Sequence, residues 1–289
     1  MVIICFNVYT KIDKSIRKSG EKILSLRKKL QSIDDVESIE DIGREFFKNE
    51  KYEKAILSFK RILELEPNNF KIINNLAGAY LLLGHHSKAI ELWEKVLKLE
   101  PNFYPTLTSL GTAYANKNNH QQALKLWKKA LEINPKGIDV IHNIAGAYAE
   151  LGEFKKAIKF YLMEIEFEPL NFEALAKLGA LLLIFKEYDK AIELFTDALK
   201  IKPQSIEVWA SLSSAFEKIG ELERAKQCIS KIVELDPTYR NGWIYLGQYY
   251  LSRNEYETAL EHFQKIIDIF PRDREIKTII KKIKKEIKK

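Results

Sequence analysis

Proline spacing is the feature that most constrains the fold of this chain. Seven of its eight prolines recur at intervals of 34 residues. A proline inside a helix removes a hydrogen bond and clashes with the preceding turn, at a cost of about 3 kcal/mol, so each must lie at a helix end. The seven prolines are Pro67, Pro101, Pro135, Pro169, Pro203, Pro237 and Pro271. With each proline at position 32, they predict seven repeats over 36–69, 70–103, 104–137, 138–171, 172–205, 206–239 and 240–273.

Two columns of small residues appear in this register, at positions 8 and 20. Position 8 holds Gly43, Ala77, Gly111, Ala145, Gly179, Ser213 and Gly247. Position 20 holds Ala55, Ala89, Ala123, Ala157, Ala191, Ala225 and Ala259. Two antiparallel helices approach closely only where neither presents a bulky side chain, so the columns mark the crossing of a helix A and a helix B. Large apolar residues at positions 7, 11 and 24 flank the crossing on one face of each helix.

The turn between the two helices is predicted at position 15. Five repeats carry glycine or asparagine there, residue types that accept the left-handed conformation closing a helix. These residues are Gly84, Asn118, Gly152, Gly220 and Asn254. Each repeat is therefore expected to be one helix–turn–helix unit.

This pattern resembles the tetratricopeptide repeat family over residues 36–273. The 34-residue period separates it from the pentatricopeptide RNA-binding family, whose period is 35 residues. The resemblance implies an all-α fold, a right-handed α-solenoid of antiparallel helix pairs. It also implies a non-catalytic scaffold that binds a peptide or a partner helix in a concave groove. Helix A lines that groove, chiefly through positions 2, 5, 6, 9, 12 and 13.

The polar character of this surface in repeats 2–4 gives the first candidate site. Position 6 carries Asn75, Ser109 and Asn143, similar to the asparagine ladder with which long arrays in glycosyltransferases hold an extended peptide backbone. An amide both donates and accepts hydrogen bonds, which suits a peptide main chain. The alternative is that these are merely solvated polar positions. The further candidates on this surface are Asn74, Thr108, Thr112 and His142.

In repeat 5 the corresponding surface becomes apolar, because Ala176, Ala180 and Leu183 are expected to face the groove, with Ile184 next to them. An exposed patch of this kind fits a partner helix. The alternative is that neighbouring helices cover it.

Repeat 4 departs from the pattern at position 27, where Glu164 replaces an apolar residue. Because an unpaired buried carboxylate is costly, we expect it to reach solvent or find a cation, or to loosen the junction between repeats 4 and 5.

Both ends of the chain are basic and predicted to be helical. Residues 1–33 and 272–289 together carry more positive charge than the formal +7 of the whole chain, so the part between them is net negative. The isoleucine stripe of residues 274–289, and the apolar residues from Ile16 to Ile33, favour capping of the terminal repeats. The alternatives are docking on an acidic protein, an anionic membrane surface or nucleic acid, or pairing of two copies of the chain.

Other function classes find little support in the residues. No phosphate-binding glycine loop, paired-cysteine metal motif or nucleophile–base motif is present, so we expect no enzyme activity, cofactor, metal or small-molecule substrate. His86 and His120 share position 17 in adjacent repeats, but surface turn residues are the simpler interpretation. The carboxylate clamp of some chaperone-binding relatives does not fit any three-repeat window. Two cysteines, Cys5 and Cys228, and no membrane-spanning apolar run favour a reduced, cytoplasmic setting.

Overall fold

The structure, a computed structural model, describes residues 23–288 and contains sixteen helices and no strand in that range. Helix α1 covers residues 23–31. The helices of the repeats then alternate as A and B. They are α2 (Val36–Lys48), α3 (Tyr52–Leu65), α4 (Phe70–Leu82), α5 (His86–Leu99), α6 (Tyr104–Ala115), α7 (His120–Ile133), α8 (Ile138–Glu150), α9 (Phe154–Phe167), α10 (Phe172–Ile184), α11 (Tyr188–Ile201), α12 (Ile206–Lys218), α13 (Leu222–Leu235), α14 (Arg240–Ser252) and α15 (Tyr256–Ile269), followed by α16 (Arg274–Glu286).

The chain divides into two compact units, Met1–Ala147 and Tyr148–Lys289, with the boundary inside α8. Within the described residues, each unit is built of antiparallel helix pairs, so the predicted fold class, an all-α solenoid of helix pairs, is confirmed. Every A helix of the seven repeats begins at position 1 of the register set by the prolines. Cys5, Ile16 and the rest of the first 22 residues lie outside the described part of the chain.

The turns at position 15 close helix A in the same way in all seven repeats. The five predicted glycine and asparagine residues have φ between +59° and +80°. Glu50 and Lys186 occupy the same position and adopt φ of +58° and +64°. A side chain other than glycine or asparagine costs roughly 1–2 kcal/mol in this conformation, so tertiary packing has overridden local preference in those two repeats.

The small column at position 8 brings helix B onto the backbone of helix A. A Cβ atom added to Gly111 would lie 2.4 Å from Nε1 of Trp127, and one added to Gly179 or Gly247 would lie 2.7 or 2.6 Å from a phenylalanine ring. The close approach lets the Trp127 indole donate a hydrogen bond to the Thr108 carbonyl, at 3.2 Å.

Repeat 2 shows the consequence of a larger residue at position 8. Ala77 takes the place of glycine there, and Trp93 occupies the position of Trp127. The Trp93 side chain is 2% exposed, and its indole nitrogen has no hydrogen-bond partner. In repeat 2, where alanine stands at the crossing, Trp93 therefore lacks the hydrogen bond to helix A that Trp127 makes in repeat 3.

An arginine ties the flanking helix to the terminal repeat in each unit. In the first unit Arg61 of α3 contacts Asp34 at 2.8 Å, in the linker that follows α1, and Leu30 of α1 is 2% exposed. In the second unit Arg240 of α14 contacts Asp273, the N-cap residue of α16, at 2.8 Å. The isoleucine stripe of α16 is buried against α15 through Ile276, Ile280 and Ile283.

The crossing makes a direct prediction about two mid-helix glycines. Gly111→Ala should lower the free energy of unfolding by about 1–3 kcal/mol, because the indole of Trp127 has to move. Gly78→Ala is the matched control, since its Cβ would meet only the Phe47 ring, at 3.9 Å, and alanine favours a helix by up to about 1 kcal/mol. Urea denaturation followed by circular dichroism measures both changes. Equal effects of the two substitutions would contradict the account of the crossing.

Candidate peptide-binding face

The position-6 residues of repeats 2–4 form the centre of the candidate site. Asn75 lies on α4, Ser109 on α6 and Asn143 on α8, all within the first unit. Each side chain is half-buried, and none has a hydrogen-bond partner among residues 23–288. We call these three residues the position-6 ladder. Their polar groups are therefore open to a ligand on the surface formed by α4, α6 and the start of α8, here called the helix-A face.

The neighbouring predicted residues are engaged within the protein. Asn74 accepts a hydrogen bond from the hydroxyl of Thr106, at 2.8 Å, and Thr106 is fully buried. Asn74 therefore links α4 to α6. The hydroxyls of Thr108 and Thr112 donate to backbone carbonyls of their own helix, at 2.9 and 3.1 Å. His142 is half-buried. These residues keep the face polar, and whether they contact a ligand stays a prediction.

Next to Asn75 lies a pocket of about 370 Å³ that the repeat pattern does not predict. Its lining combines Arg44, Phe47 and Lys48 of α2 with Phe59 of α3 and Asn75 of α4. Gly78 lies next to the Phe47 ring of this lining, which is the only group within 4 Å of the place where a Cβ of Gly78 would be. The signal in the sequence was an aromatic residue at position 12 of one repeat followed by glycine at position 9 of the next.

The rim of this pocket is cationic. Lys48 is exposed and has no ion-pair partner in the described residues. Arg44 contacts Glu40 at 2.5 Å, but the arginine side chain is 66% exposed, so water screens that pair. The floor is apolar, because Phe59 is 1% exposed and Phe47 is half-buried. The pocket thus offers an aromatic base beneath two positive charges.

The residues predicted to form an apolar surface in repeat 5 lie on α10. Ala176, Ala180 and Leu183 are half-buried and pack against the core of the second unit. Ile184 is 60% exposed and is the most accessible apolar side chain of α10. Docking of a partner helix on this surface stays a prediction.

Glu164 is buried, so the expectation that it reaches solvent is wrong. Its side chain is 1% exposed and accepts a hydrogen bond from the Asn171 amide, at 3.1 Å. The same asparagine caps α10 through its side-chain oxygen, which accepts from two backbone N–H groups. Burial, followed by the charge of Glu164, raises the pKa of Tyr161 to about 12. One amide therefore serves both the buried carboxylate and the helix terminus.

Reactive and metal-binding groups are sparse in the described residues. No group of three or more His, Cys, Asp or Glu side chains in residues 23–288 has the arrangement of a metal site. His86 is exposed and His120 is half-buried. Burial raises the pKa of the Cys228 thiol to about 11, which disfavours the nucleophilic thiolate. None of the described helices is long and apolar enough to span a bilayer.

Comparison with known sequences decides the family. Tetratricopeptide repeat profiles match residues 46–114, 104–136, 138–162, 182–243 and 241–273. The chain belongs to the tetratricopeptide repeat family. Tetratricopeptide repeats are in general protein-interaction modules without catalytic activity. A search of curated proteins finds no significant match to this sequence.

Solved tetratricopeptide structures share the fold. The C-terminal part of a repeat protein from Cytophaga hutchinsonii is 20% identical over 81% of this chain and 96% of its own, with a TM-score of 0.71. MamA is 26% identical over 56% of this chain and 95% of its own, with a TM-score of 0.54. YrrB, described as having an unusual peptide-binding site, is 17% identical over 64% of this chain and 95% of its own, with a TM-score of 0.58.

The double role of Asn171 is open to a matched test. Asn171→Ala should lower the free energy of unfolding by about 2–4 kcal/mol, because a helix cap and a partner of a buried carboxylate are lost together. Asn69→Ala is the control, because Asn69 also occupies position 34, caps α4 and donates a hydrogen bond to an exposed glutamate. Position 27 of its repeat is Ile62, so Asn69 has no buried carboxylate at that position to bond. That variant should lose only about 1 kcal/mol in urea denaturation. Equal losses would show that the bond to Glu164 contributes nothing.

Proposed function

We propose that this protein is a non-catalytic scaffold whose first unit binds an extended peptide segment of another protein on the helix-A face. The observation that carries the proposal is the position-6 ladder. Three polar side chains recur at one register position in consecutive repeats, partly exposed and without partners in residues 23–288. A polar group left unpaired at a half-buried position is readily satisfied by a ligand, because little water has to be displaced from it.

The chemistry of the ladder favours main-chain recognition. An asparagine amide offers both donors and an acceptor, and an extended peptide presents the complementary N–H and C=O groups along its length. The ladder itself therefore places few demands on the peptide sequence. The peptide-binding site described for YrrB supports the general idea at the level of a shared fold.

The test uses a twelve-residue peptide selected on the wild-type chain from a random library. The double variant Asn75→Ala/Asn143→Ala should bind that peptide about tenfold or more weakly by isothermal titration calorimetry, since two hydrogen bonds of about 0.5–1.5 kcal/mol each are lost. Thermal unfolding should be unchanged, because neither amide has an internal partner in the described residues.

The control for this experiment is Asn102→Ala, which removes an exposed asparagine from the loop before α6. It should leave the affinity for the selected peptide unchanged. Unchanged affinity in the double variant would remove the ladder from the binding site.

A second candidate function rests on α16. Ile276, Ile280 and Ile283 of its isoleucine stripe are buried, whereas six lysines on this helix and just after it are exposed and have no ion-pair partner among residues 23–288. They are Lys277, Lys281, Lys282, Lys284, Lys285 and Lys288. Such a surface fits an acidic protein, an anionic membrane surface or nucleic acid.

Salt and truncation separate the two candidates. Binding through α16 should weaken steeply between 50 and 300 mM salt and disappear when residues 274–289 are deleted. Binding through the helix-A face should persist in larger part under both conditions. Loss of every partner on truncation would favour the second candidate over the first.

A further inference from the structure

We propose that the pocket formed by Arg44, Phe47, Lys48, Phe59 and Asn75 holds an aromatic side chain of the bound peptide. This inference rests on the proposed function, because Asn75 belongs both to the ladder and to the pocket wall. A main chain held by the Asn75 amide places its neighbouring side chain at the pocket. The ladder then supplies general affinity, and the pocket supplies sequence preference.

The shape of the pocket is particular to the junction between repeats 1 and 2. Position 12 is Phe47 in repeat 1, whereas the other repeats carry aliphatic or acidic residues there. Position 9 of the following repeat is Gly78, and open space surrounds its missing side chain except on the side of Phe47. A volume of about 370 Å³ accommodates a planar ring above this floor. Gly146 of repeat 4 also lacks a side chain, but Ala115 precedes it at position 12.

The charges around the pocket favour an aromatic ring over a carboxylate. Lys48 and Arg44 at the rim are cations that interact favourably with the face of a ring. Phe47 adds edge-to-face or offset contacts with the same ring. Glu40 contacts Arg44 at 2.5 Å, so part of the positive charge at the rim already has a carboxylate partner. That ion pair reduces the attraction of the rim for a second carboxylate, whereas packing of an uncharged ring against Phe47 does not depend on it.

The experiment uses the full chain and three synthetic twelve-residue peptides of glycine, serine and alanine that differ at one central residue, Phe, Glu or Ala. Two-dimensional NMR titration gives the dissociation constants at 150 mM salt. The phenylalanine peptide should bind at least about tenfold more tightly than the other two. Gly78→Leu, which places a side chain next to the Phe47 ring at the pocket floor, should abolish this preference and leave the alanine peptide unaffected.

Two further variants keep the result interpretable. Gln248→Leu places the same side chain at position 9 of repeat 7, in the second unit, and should preserve the preference for phenylalanine. Lys48→Gln removes an exposed rim charge without filling the pocket and should reduce the preference about two- to threefold. This variant tests the inference independently of whether Gly78→Leu folds.

The outcomes separate this inference from the proposed function. Equal affinities for the three peptides, or a preference for the glutamate peptide, would overturn the aromatic pocket and leave the ladder in place. A phenylalanine preference that is undiminished in both Gly78→Leu and Lys48→Gln would also overturn it. Binding of none of the peptides would count against the ladder and the pocket together.

Discussion

The contact on which the rest of this structure depends is the packing of the position-24 side chain of helix B, a ring in six of the seven repeats, against helix A at position 8. Where position 8 is glycine, a ring atom lies within 2.4–2.8 Å of the point that a Cβ would occupy. Side chains at positions 7, 8 and 11 of helix A are committed to this contact, so positions 5, 6 and 9 lie on the remaining surface. The crossing thereby determines which residues are left to bind a partner.

Much of the fold follows from residue types that permit only a few conformations. Proline spacing set the register, and the A helices begin at the predicted residues, because a proline in a helix interior is excluded so strongly. The turns at Glu50 and Lys186 could be placed only by analogy with the other repeats, since neither side chain favours a positive φ. At these two residues the 34-residue period predicts a turn that the residue types alone do not.

The polar residues of the candidate site were harder to predict than the fold. Asn74 and Asn75 are adjacent and chemically identical, yet Asn74 accepts a hydrogen bond from Thr106 while Asn75 has no partner in the described residues. That difference depends on the packing of α6 against α4, which a sequence pattern does not reveal. Glu164 was misjudged for the same reason, because the sequence pattern does not reveal its hydrogen bond with Asn171. The pocket beside Asn75 was not predicted either, because its lining comes from three helices whose packing the sequence pattern does not reveal.

The central claim is that the amides of the position-6 ladder contact the main chain of a bound peptide. The most direct measurement is the NMR signal of the side-chain amide groups of Asn75 and Asn143, followed while the selected peptide is added to the full chain. We predict downfield shifts and slowed solvent exchange for these two amide groups, with the Asn102 amide unchanged. Saturated binding that leaves the signals of Asn75 and Asn143 unchanged would contradict the account.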